Sequence, residues 1–292
     1  MYLIIDTDFG DDIDDAFSLA YLLKRARGDI HLVLSAFGDT EKRAQSIGDF
    51  LHRAGCDEIP VGVGLKTGEQ DPAQYLFQPK DVTYPVIEDG LAQAARLIRE
   101  CDEVVTLVAL GPATNLAALI ERYPDLKDKV RIVSMFGSVR GGYFGSPDPI
   151  NEYNVIMDIP AGKTFLSSGW DIALTPLDTC GNLFMNGERY QKMLASNDPI
   201  TVALCQEFAR WMSLGRYNGP KEDAGKSTSC LFDTVAAYMA FDTPLLNFTT
   251  VPLTVDDKGY TREDEGGMPI PCALSWTDAD AFIQHLCDVY TA

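Results

Sequence analysis

Short apolar runs alternate with amphipathic periods over much of the chain. The apolar positions recur every three to four residues, as in helices, at about 14–27, 40–54, 89–101, 112–122 and 160–167. The runs between them are continuous and rich in β-branched residues, and they cover 2–7, 31–37, 60–64, 104–110, 130–136 and 171–177. This alternation predicts an α/β fold with a mainly parallel central sheet flanked by helices, because parallel strands are buried on both faces.

The second half of the chain adds helical patterns at 187–217 and 229–241. The sequence contains no internal repeat, low-complexity tract or long linker, and its 292 residues are ample for a large core. We therefore expect a single domain over residues 1–292.

The chain is strongly acidic, with a formal net charge of −19 at pH 7. Negative charge repels phosphate backbones and anionic lipid surfaces, so we expect neither nucleic-acid nor membrane partners. No apolar run reaches the roughly 18 residues that a membrane-spanning helix requires. Seven cysteines stand singly, without a CxxC pair, and no signal peptide is evident. These features predict reduced thiols and a cytoplasmic location.

Polar motifs follow several of the predicted strands. Asp6 and Asp8 end the first strand, GDT (38–40) follows the second, and GPATN (111–115) and GSVRGG (137–142) follow two later ones. Ligands bind outside the carboxyl ends of the strands in such sheets. We therefore expect these motifs to share one rim.

Six aspartates crowd the ten positions from Asp6 to Asp15. Capping of a helix N-terminus would explain one or two of them. A phosphoryl-transfer enzyme with an aspartyl nucleophile would explain the pair in DTD, although Phe9 and Gly10 follow where haloacid-dehalogenase-type enzymes usually have glycine and threonine. A hard divalent cation held by carboxylate oxygens is the interpretation we favour, because it converts the mutual repulsion into attraction.

The motifs resemble, in order, those of the inosine–uridine-type nucleoside hydrolase family. The most specific is DTDFGDDIDDAFSLAYLL (6–23), whose turn is two residues longer than the usual DxDxG–x–DDA pattern. The others are VTLVALGPATNLAALI (105–120), VRIVSMFGS (130–138), NEYNVIMDIPAG (151–162), PLDTC (176–180), LFDTVAAYMA (231–240) and KGYTRE (258–263). The resemblance implies a Rossmann-like nucleoside hydrolase fold over essentially the whole chain.

The same resemblance implies an activity. Family members hydrolyse the N-glycosidic bond of ribonucleosides with Ca²⁺ as cofactor, releasing ribose and a free base for purine or pyrimidine salvage. The expected partner is therefore a small-molecule ribonucleoside, and the expected assembly is a homodimer or homotetramer.

Individual site residues carry over by position in the motifs. Asp8 matches the metal ligand that also acts as general base, and Asp15 and Asp233 match further ligands. Leu110 stands where the family supplies a backbone carbonyl to the metal. Asp14 matches a contact to the ribose diol, although the longer turn leaves open whether Asp12 replaces Asp14 or Asp15.

Other matched residues surround the sugar. Glu152 and Asn154 match residues that hold ribose hydroxyls, and Met135 matches a residue beneath the sugar, where plain core packing is an equal alternative. Asp6 matches a carboxylate behind the metal. Asp39 stands where an asparagine commonly approaches the sugar, and we expect it to bind substrate. For the 5′-hydroxyl contact the sequence leaves Ser146 and Asn151 as alternatives.

Phe232 is the main departure from the family pattern. Better-known members carry a histidine directly before the aspartate that Asp233 matches, and it protonates the leaving base; phenylalanine cannot transfer a proton. Trp211, Tyr217 and Phe232 are candidates for the base pocket, with Cys230 and Arg216 nearby. The substitution leaves two alternatives open: hydrolysis of another N-ribosyl compound, or a Ca²⁺-dependent ribose- or nucleoside-binding homologue with little turnover.

Overall fold

A computed structural model describes residues 1–241 and 243–292 of the chain. In this part of the chain, nine strands form one sheet in the order β3-β2-β1-β4-β5-β6-β9-β7-β8. The strands are β1 (Leu3–Thr7), β2 (Ile30–Ser35), β3 (Val61–Gly62), β4 (Val105–Ala109), β5 (Val130–Met135), β6 (Asp171–Thr175), β7 (Leu246–Val255), β8 (Thr261–Glu263) and β9 (Met268–Trp276). All pairs from β3 to β9 in this order are parallel, whereas β7 runs antiparallel to both β8 and β9. The predicted α/β fold with a mainly parallel sheet is confirmed.

Helices cover both faces of this sheet. They are α1 (Asp14–Ala26), α2 (Thr40–Arg53), α3 (Gly90–Glu100), α4 (Thr114–Arg122), α5 (Tyr153–Met157), α6 (Ile159–Ser167), α7 (Leu177–Cys180), α8 (Gly187–Leu194), α9 (Pro199–Ser213), α10 (Thr234–Met239) and α11 (Ala279–Thr291). The predicted segment 187–217 is divided into α8 and α9. Asp198 causes this division, because its carboxylate accepts hydrogen bonds from the first turn of α9 and Pro199 follows at the first helical position.

Two apolar layers, one on each face of the sheet, form the core. Along β1, Leu3 and Ile5 pack with α1, α2, α9, α10 and α11, while Ile4 packs on the opposite side with α3, α4 and α6. Side chains alternate between the faces of a strand, so a strand that is apolar at every position is buried on both sides. This double burial matches the interior position of β1, between β2 and β4, and the residues that follow it emerge at the carboxyl edge beside those that follow these two neighbours.

The structure also bears on the cysteines and on membrane spans. All seven cysteines are free thiols. Among the helices of the described residues, none combines the length and apolarity needed to cross a bilayer.

Candidate active site

The aspartate-rich turn lies between β1 and α1. The strand ends at Thr7, and the chain reverses at Gly10, whose φ of +119° is a conformation that side-chain-bearing residues rarely adopt. Helix α1 then begins at Asp14, so Asp14 and Asp15 occupy its first turn. Asp8 is held close against the neighbouring loop, because a Cβ atom on Gly111 would lie only 2.7 Å from Asp8 Oδ1. The local sequence thus turns several carboxylates toward one point.

A cavity of about 660 Å³ opens at this carboxyl edge of the sheet. Its walls come from the ends of β1, β4 and β5, from the loops after them, and from the segment between α9 and α10. Twelve of the residues singled out in the sequence line it: Asp8, Asp12, Asp14, Asp15, Leu110, Met135, Glu152, Asn154, Trp211, Arg216, Phe232 and Asp233. The strands therefore gather residues from both ends of the chain around one space, as the position of the motifs predicted.

Three carboxylates in the floor of the cavity form a group suited to a metal ion. Asp14, Asp15 and Asp233 are buried, and each offers an oxygen within 4.8 Å of the other two. Burial, reinforced by the charges of the neighbouring aspartates, raises the pKa of all three well above the ordinary value. Only carboxylate oxygen donors converge here, and such donors fit a hard divalent cation.

Asp8 and Asp6 lie beside this group and are also buried. Burial raises the pKa of Asp8 to about 6, against the lowering influence of Arg43, and raises that of Asp6 to about 7. Asp6 Oδ2 accepts a 2.7 Å hydrogen bond from the amide of Asn115, which also bonds Ser35 O. Asp6 Oδ1 has no hydrogen-bond partner. An unpaired buried carboxylate oxygen is costly, which again favours a cation nearby.

Arg43 of α2 is a buried cation beneath the aspartate turn. Its guanidinium donates to the carbonyl oxygens of Asp8, Phe9 and Phe37, and it pairs with the carboxylate of Asp11 at 2.6 Å. The side chain is only 2% exposed. Arg43 therefore joins the turn after β1 to the turn after β2 and supplies the positive charge nearest to Asp8.

Replacing Arg43 with methionine is expected to lower the free energy of unfolding by about 3 kcal/mol. The variant leaves buried carbonyls without donors and removes a charge partner from the aspartates. Urea unfolding in the presence of Ca²⁺ measures the change. Arg96→Met is the matched control, because Arg96 forms an exposed helical pair with Glu100 that is worth less than about 0.5 kcal/mol. Equal losses in the two variants would contradict the role of Arg43.

Asp12, the alternative ligand, lines the cavity but is not part of the three-carboxylate group. Its Oδ1 accepts from the backbone N–H of Ile13, and its Oδ2 accepts from the amide of Asn218 at 2.9 Å. Asn218 in turn accepts from the hydroxyl of Ser229 and from the N–H of Cys230. Asp12 thus ties the aspartate turn to the loop before α10.

Glu152 and Asn154 meet the carbonyl groups at the ends of β4 and β5. The carboxylate of Glu152 accepts from three backbone N–H groups, and burial raises its pKa to about 7 against these bonds. The amide of Asn154 donates to Leu110 O at 2.7 Å and to Met135 O at 3.1 Å. These contacts hold two polar side chains, together with the Leu110 carbonyl, beside the carboxylates.

Three aromatic residues that line the cavity pack together and form what we call the aromatic wall: Tyr143, Phe144 and Phe232. The ring of Tyr143 lies edge-on to that of Phe232 with centroids 5.6 Å apart, and the Phe144 ring lies 6.3 Å from that of Phe232. Phe144 is half exposed and has a left-handed backbone, with φ of 58°. Phe37, which also lines the cavity, is left-handed too. Strain of this kind is concentrated at functional sites.

Some predicted residues are not part of the cavity. The carboxylate of Asp39 caps α2 and pairs with Lys42 and Lys66, and Asp39 is not among the described lining residues. Tyr217 is likewise outside the described lining, and its hydroxyl bonds Ser227 at 2.7 Å. Trp211 lines the cavity but is almost fully buried, and its indole N–H donates to Asp11 O.

Neither candidate for the 5′-hydroxyl contact lines the cavity in the described part of the chain. Ser146 Oγ bonds within its own loop to Asp148, and the amide of Asn151 donates to Lys258 O at 3.4 Å. Cys230 is buried and does not line the described cavity, whereas Arg216 does line it.

Four residues of the site were not predicted from the sequence: Arg43, Tyr143, Phe144 and Asn218. The glycines on either side of Tyr143 and Phe144 were the one available signal, since they indicate an unusual backbone there.

The chain has extensive similarity to known proteins. The family model described as inosine-uridine preferring nucleoside hydrolase matches residues 3–283. The pyrimidine-specific ribonucleoside hydrolase RihA of Escherichia coli is 24% identical over 316 aligned residues, which cover 98% of this chain and 97% of RihA.

Solved structures agree with this match at the level of the fold. A plant nucleoside hydrolase, PpNRh1, superposes with a TM-score of 0.84 at 23% identity and covers 100% of this chain and 99% of its own. A purine-preferring ribonucleoside hydrolase from Gardnerella vaginalis superposes with a TM-score of 0.80 at 18% identity, covering 100% and 98%. The family match over nearly the whole chain establishes family membership as well as the fold. The chain belongs to the inosine-uridine preferring nucleoside hydrolase family and is a hydrolase acting on N-glycosyl compounds.

Proposed function

We propose that residues 1–292 act as a single domain that hydrolyses the N-glycosidic bond of ribonucleosides in a Ca²⁺-dependent reaction, releasing ribose and a free base. The observation that carries this proposal is the convergence of Asp14, Asp15 and Asp233 within 4.8 Å in the floor of a cavity of about 660 Å³. Membership of the family supports the reaction, and the all-oxygen donor set supports the choice of cation.

The cation would be held by oxygens that the sequence and the geometry bring to one place. Asp15 and Asp233 of the three-carboxylate group would hold it, and Asp8 and the backbone carbonyl of Leu110, which line the same cavity, would complete its ligands. Asp14, the third member of that group, would accept a hydrogen bond from a sugar hydroxyl at the edge of the cation site. When bound, Ca²⁺ would offset the carboxylate charge and increase the acidity of a nearby water molecule.

Asp8 is the proposed general base. Its carboxylate lies at the cavity surface but is only slightly exposed, and Arg43 fixes the backbone that carries it. A carboxylate in this position can accept a proton from the attacking water as the water adds to the anomeric carbon. The surrounding negative charge stabilises the oxocarbenium-like transition state that ribosyl transfer passes through.

Glu152 and Asn154 are the proposed contacts to ribose hydroxyls, with Met135 against the sugar face. The three are held by hydrogen bonds to the backbone or by the strand itself, so little ordering is required when the sugar binds. Phe232 belongs to the aromatic wall and faces the departing base. These assignments fit a nucleoside whose sugar enters first and whose base points toward that wall.

Ribose release from a panel of nucleosides tests the proposal. Uridine, cytidine, inosine and adenosine are incubated with protein that has been freed of metal by a chelator, and again after Ca²⁺ is restored. Because the cation is proposed to activate the attacking water, we expect chelation to reduce kcat/KM at least about 10³-fold and Ca²⁺ to recover it.

A binding homologue would behave differently in the same experiment. It would bind ribose or a nucleoside in calorimetry only when Ca²⁺ is present, yet release no ribose above the uncatalysed rate. That result would refute the hydrolase proposal while leaving the metal site intact. Activity that is unchanged by exhaustive chelation would instead refute the cation dependence.

A further inference from the structure

No histidine can reach a base that leaves against the aromatic wall. His31 stacks on Tyr2 with ring centroids 3.6 Å apart, and His52 pairs with Asp57. His285 forms a 2.9 Å hydrogen bond with the hydroxyl of Tyr21. These are the only histidines in the sequence, and none lines the cavity formed by the described residues. The reaction therefore has no imidazole to protonate the leaving nitrogen.

The other proton-bearing groups near the wall are poorly suited to that task. Tyr143 Oη accepts from the N–H of Tyr153 at 3.0 Å, and burial raises the pKa of Tyr143, so its phenol retains the proton. Cys230 lies behind the wall, where its Sγ is 3.5 Å from Cys180 O, and burial raises the pKa of its thiol as well. Both groups can hold a hydrogen bond but do not release a proton readily.

The nearest carboxylates are arranged as hydrogen-bond acceptors. Glu152 accepts from three backbone N–H groups, and Asp12 accepts from a backbone N–H and from the Asn218 amide. Burial outweighs these bonds and raises the pKa of Glu152 to about 7, but each of its oxygens already accepts a backbone N–H, and neither carboxylate belongs to the aromatic wall against which the base would leave. Protonation of the base is the one component of the usual reaction for which this cavity offers no positioned group.

The charges and the aromatic rings that line the cavity favour a leaving base of one kind. The lining contains five aspartates in the turn, together with Glu152 and Asp233, but only two cations. Arg43 is committed to turn carbonyls and Asp11, and Arg216 lies beside Asp12, where its charge is partly offset. The three aromatic rings of the wall line the same cavity. Negative potential and aromatic faces together attract a positively charged ring.

We infer that the preferred substrates are cationic N-ribosyl heterocycles, in which the glycosidic nitrogen belongs to a positively charged aromatic ring system, as in pyridinium and N7-alkylpurinium ribosides. This inference rests on the proposed hydrolase function. When the C1′–N bond breaks, its electron pair returns to the ring and cancels the positive charge, so the base leaves neutral and needs no proton. The water oxygen bonds to C1′, one of its protons passes to Asp8, and that proton is later released to solvent.

The test compares kcat/KM, with Ca²⁺ present and after correction for spontaneous hydrolysis, for two cationic and two neutral ribosides. Nicotinamide riboside represents the pyridinium class and 7-methylguanosine the purinium class; uridine and inosine are the neutral references. A missing general acid is worth about 10²–10⁴, so we expect at least one cationic substrate to exceed both neutral ones by about 100-fold or more. The cationic substrate with the higher kcat/KM identifies whether the wall accepts a pyridinium or a purinium ring. Neutral nucleosides that are cleaved as fast as both cations would overturn the inference.

A fifth substrate separates this inference from the proposed function. The nitrophenolate of p-nitrophenyl riboside leaves as a stable anion without protonation, so its release reports the ribosyl-cleaving residues alone. Cleavage of this substrate without any preference for cations would reject the inference and leave the function standing. Failure to cleave any of the five would reject the proposed function itself.

Two variants at Phe232 test whether the wall sets the preference or the substrates are merely reactive. Phe232→Leu keeps an apolar side chain but removes a ring face, and it is expected to lower kcat/KM for the preferred cation by about 3- to 30-fold more than for uridine. Phe232→His restores an ionisable ring and is expected to raise the uridine rate, with a new limb in its pH profile. A cation-to-uridine ratio that is unchanged in both variants would overturn the role of the wall.

Discussion

Replacing Asp8 with alanine is expected to lower kcat/KM for ribose release by about 10⁴-fold or more. The side chain is proposed both to accept the proton of the attacking water and to hold the cation, and general-base catalysis alone contributes typically about 10²–10⁴. The loss should fall mainly on kcat when Ca²⁺ is saturating, because Glu152, Asn154 and Asp14 would still hold the sugar. Steady-state kinetics with the best substrate of the panel measure it.

Two further variants make the Asp8 result specific. Asp57→Ala removes an exposed carboxylate that pairs with His52 on the surface, and it should retain the full rate. Asp8→Asn keeps an oxygen ligand but cannot accept a proton. If Asp8 is the base, Asp8→Asn binds Ca²⁺ yet loses the low-pH limb of the kcat/KM profile along with most of the rate. An Asp8→Ala enzyme with wild-type kcat/KM would refute the assignment.

Strands β1 to β6 were predicted from the sequence, whereas β7, β8 and β9 were not among the predicted strands. Strands β1 to β6 are short, continuous and apolar because they are covered on both faces. Strand β7 has four exposed residues in succession, and β9 contains Pro269 and Pro271, so neither shows the alternation or the apolar run that predicts a strand. Only the KGYTRE segment, which contains β8, was singled out in the sequence, as one of the motifs that resemble the family.

The floor of the site was predictable for a different reason from its walls. Few structures other than a cation site explain why so many aspartates are crowded into one turn. The family-like motif around Asp233 then indicated which distant carboxylate joins them. Arg43 left no such signal, because an arginine in an amphipathic helix is typical of a solvent-facing position and its partners are mostly backbone carbonyls. The approach of Phe144 to Phe232 depends on a left-handed backbone, which composition and periodicity do not encode. Asp39 illustrates the opposite case, since a matched position is used for capping α2.

Without a cation, the protein is expected to become less stable as the pH rises from about 4 to about 7. Burial raises the pKa of Asp6 to about 7 and that of Asp8 to about 6 in the folded state, whereas both ionise near 4 in the unfolded chain. Between those values the folded state binds more protons than the unfolded state, so the free energy of unfolding falls with increasing pH. For Asp6 alone the full change is on the order of 4 kcal/mol.

Ca²⁺ is expected to reverse this trend, because it favours the ionised carboxylates and binds only the folded state. Urea unfolding at pH 5 and pH 7.5, with chelator and with millimolar Ca²⁺, should therefore show much greater stabilisation by the cation at pH 7.5. Asp233→Asn provides the matched control: removing one buried carboxylate should make the chelated protein at least as stable as the wild type at pH 7.5 and abolish most of the Ca²⁺ effect. Stability that rises with pH in chelator, or Ca²⁺ stabilisation that is equal at both pH values, would show that these carboxylates do not form a cation site.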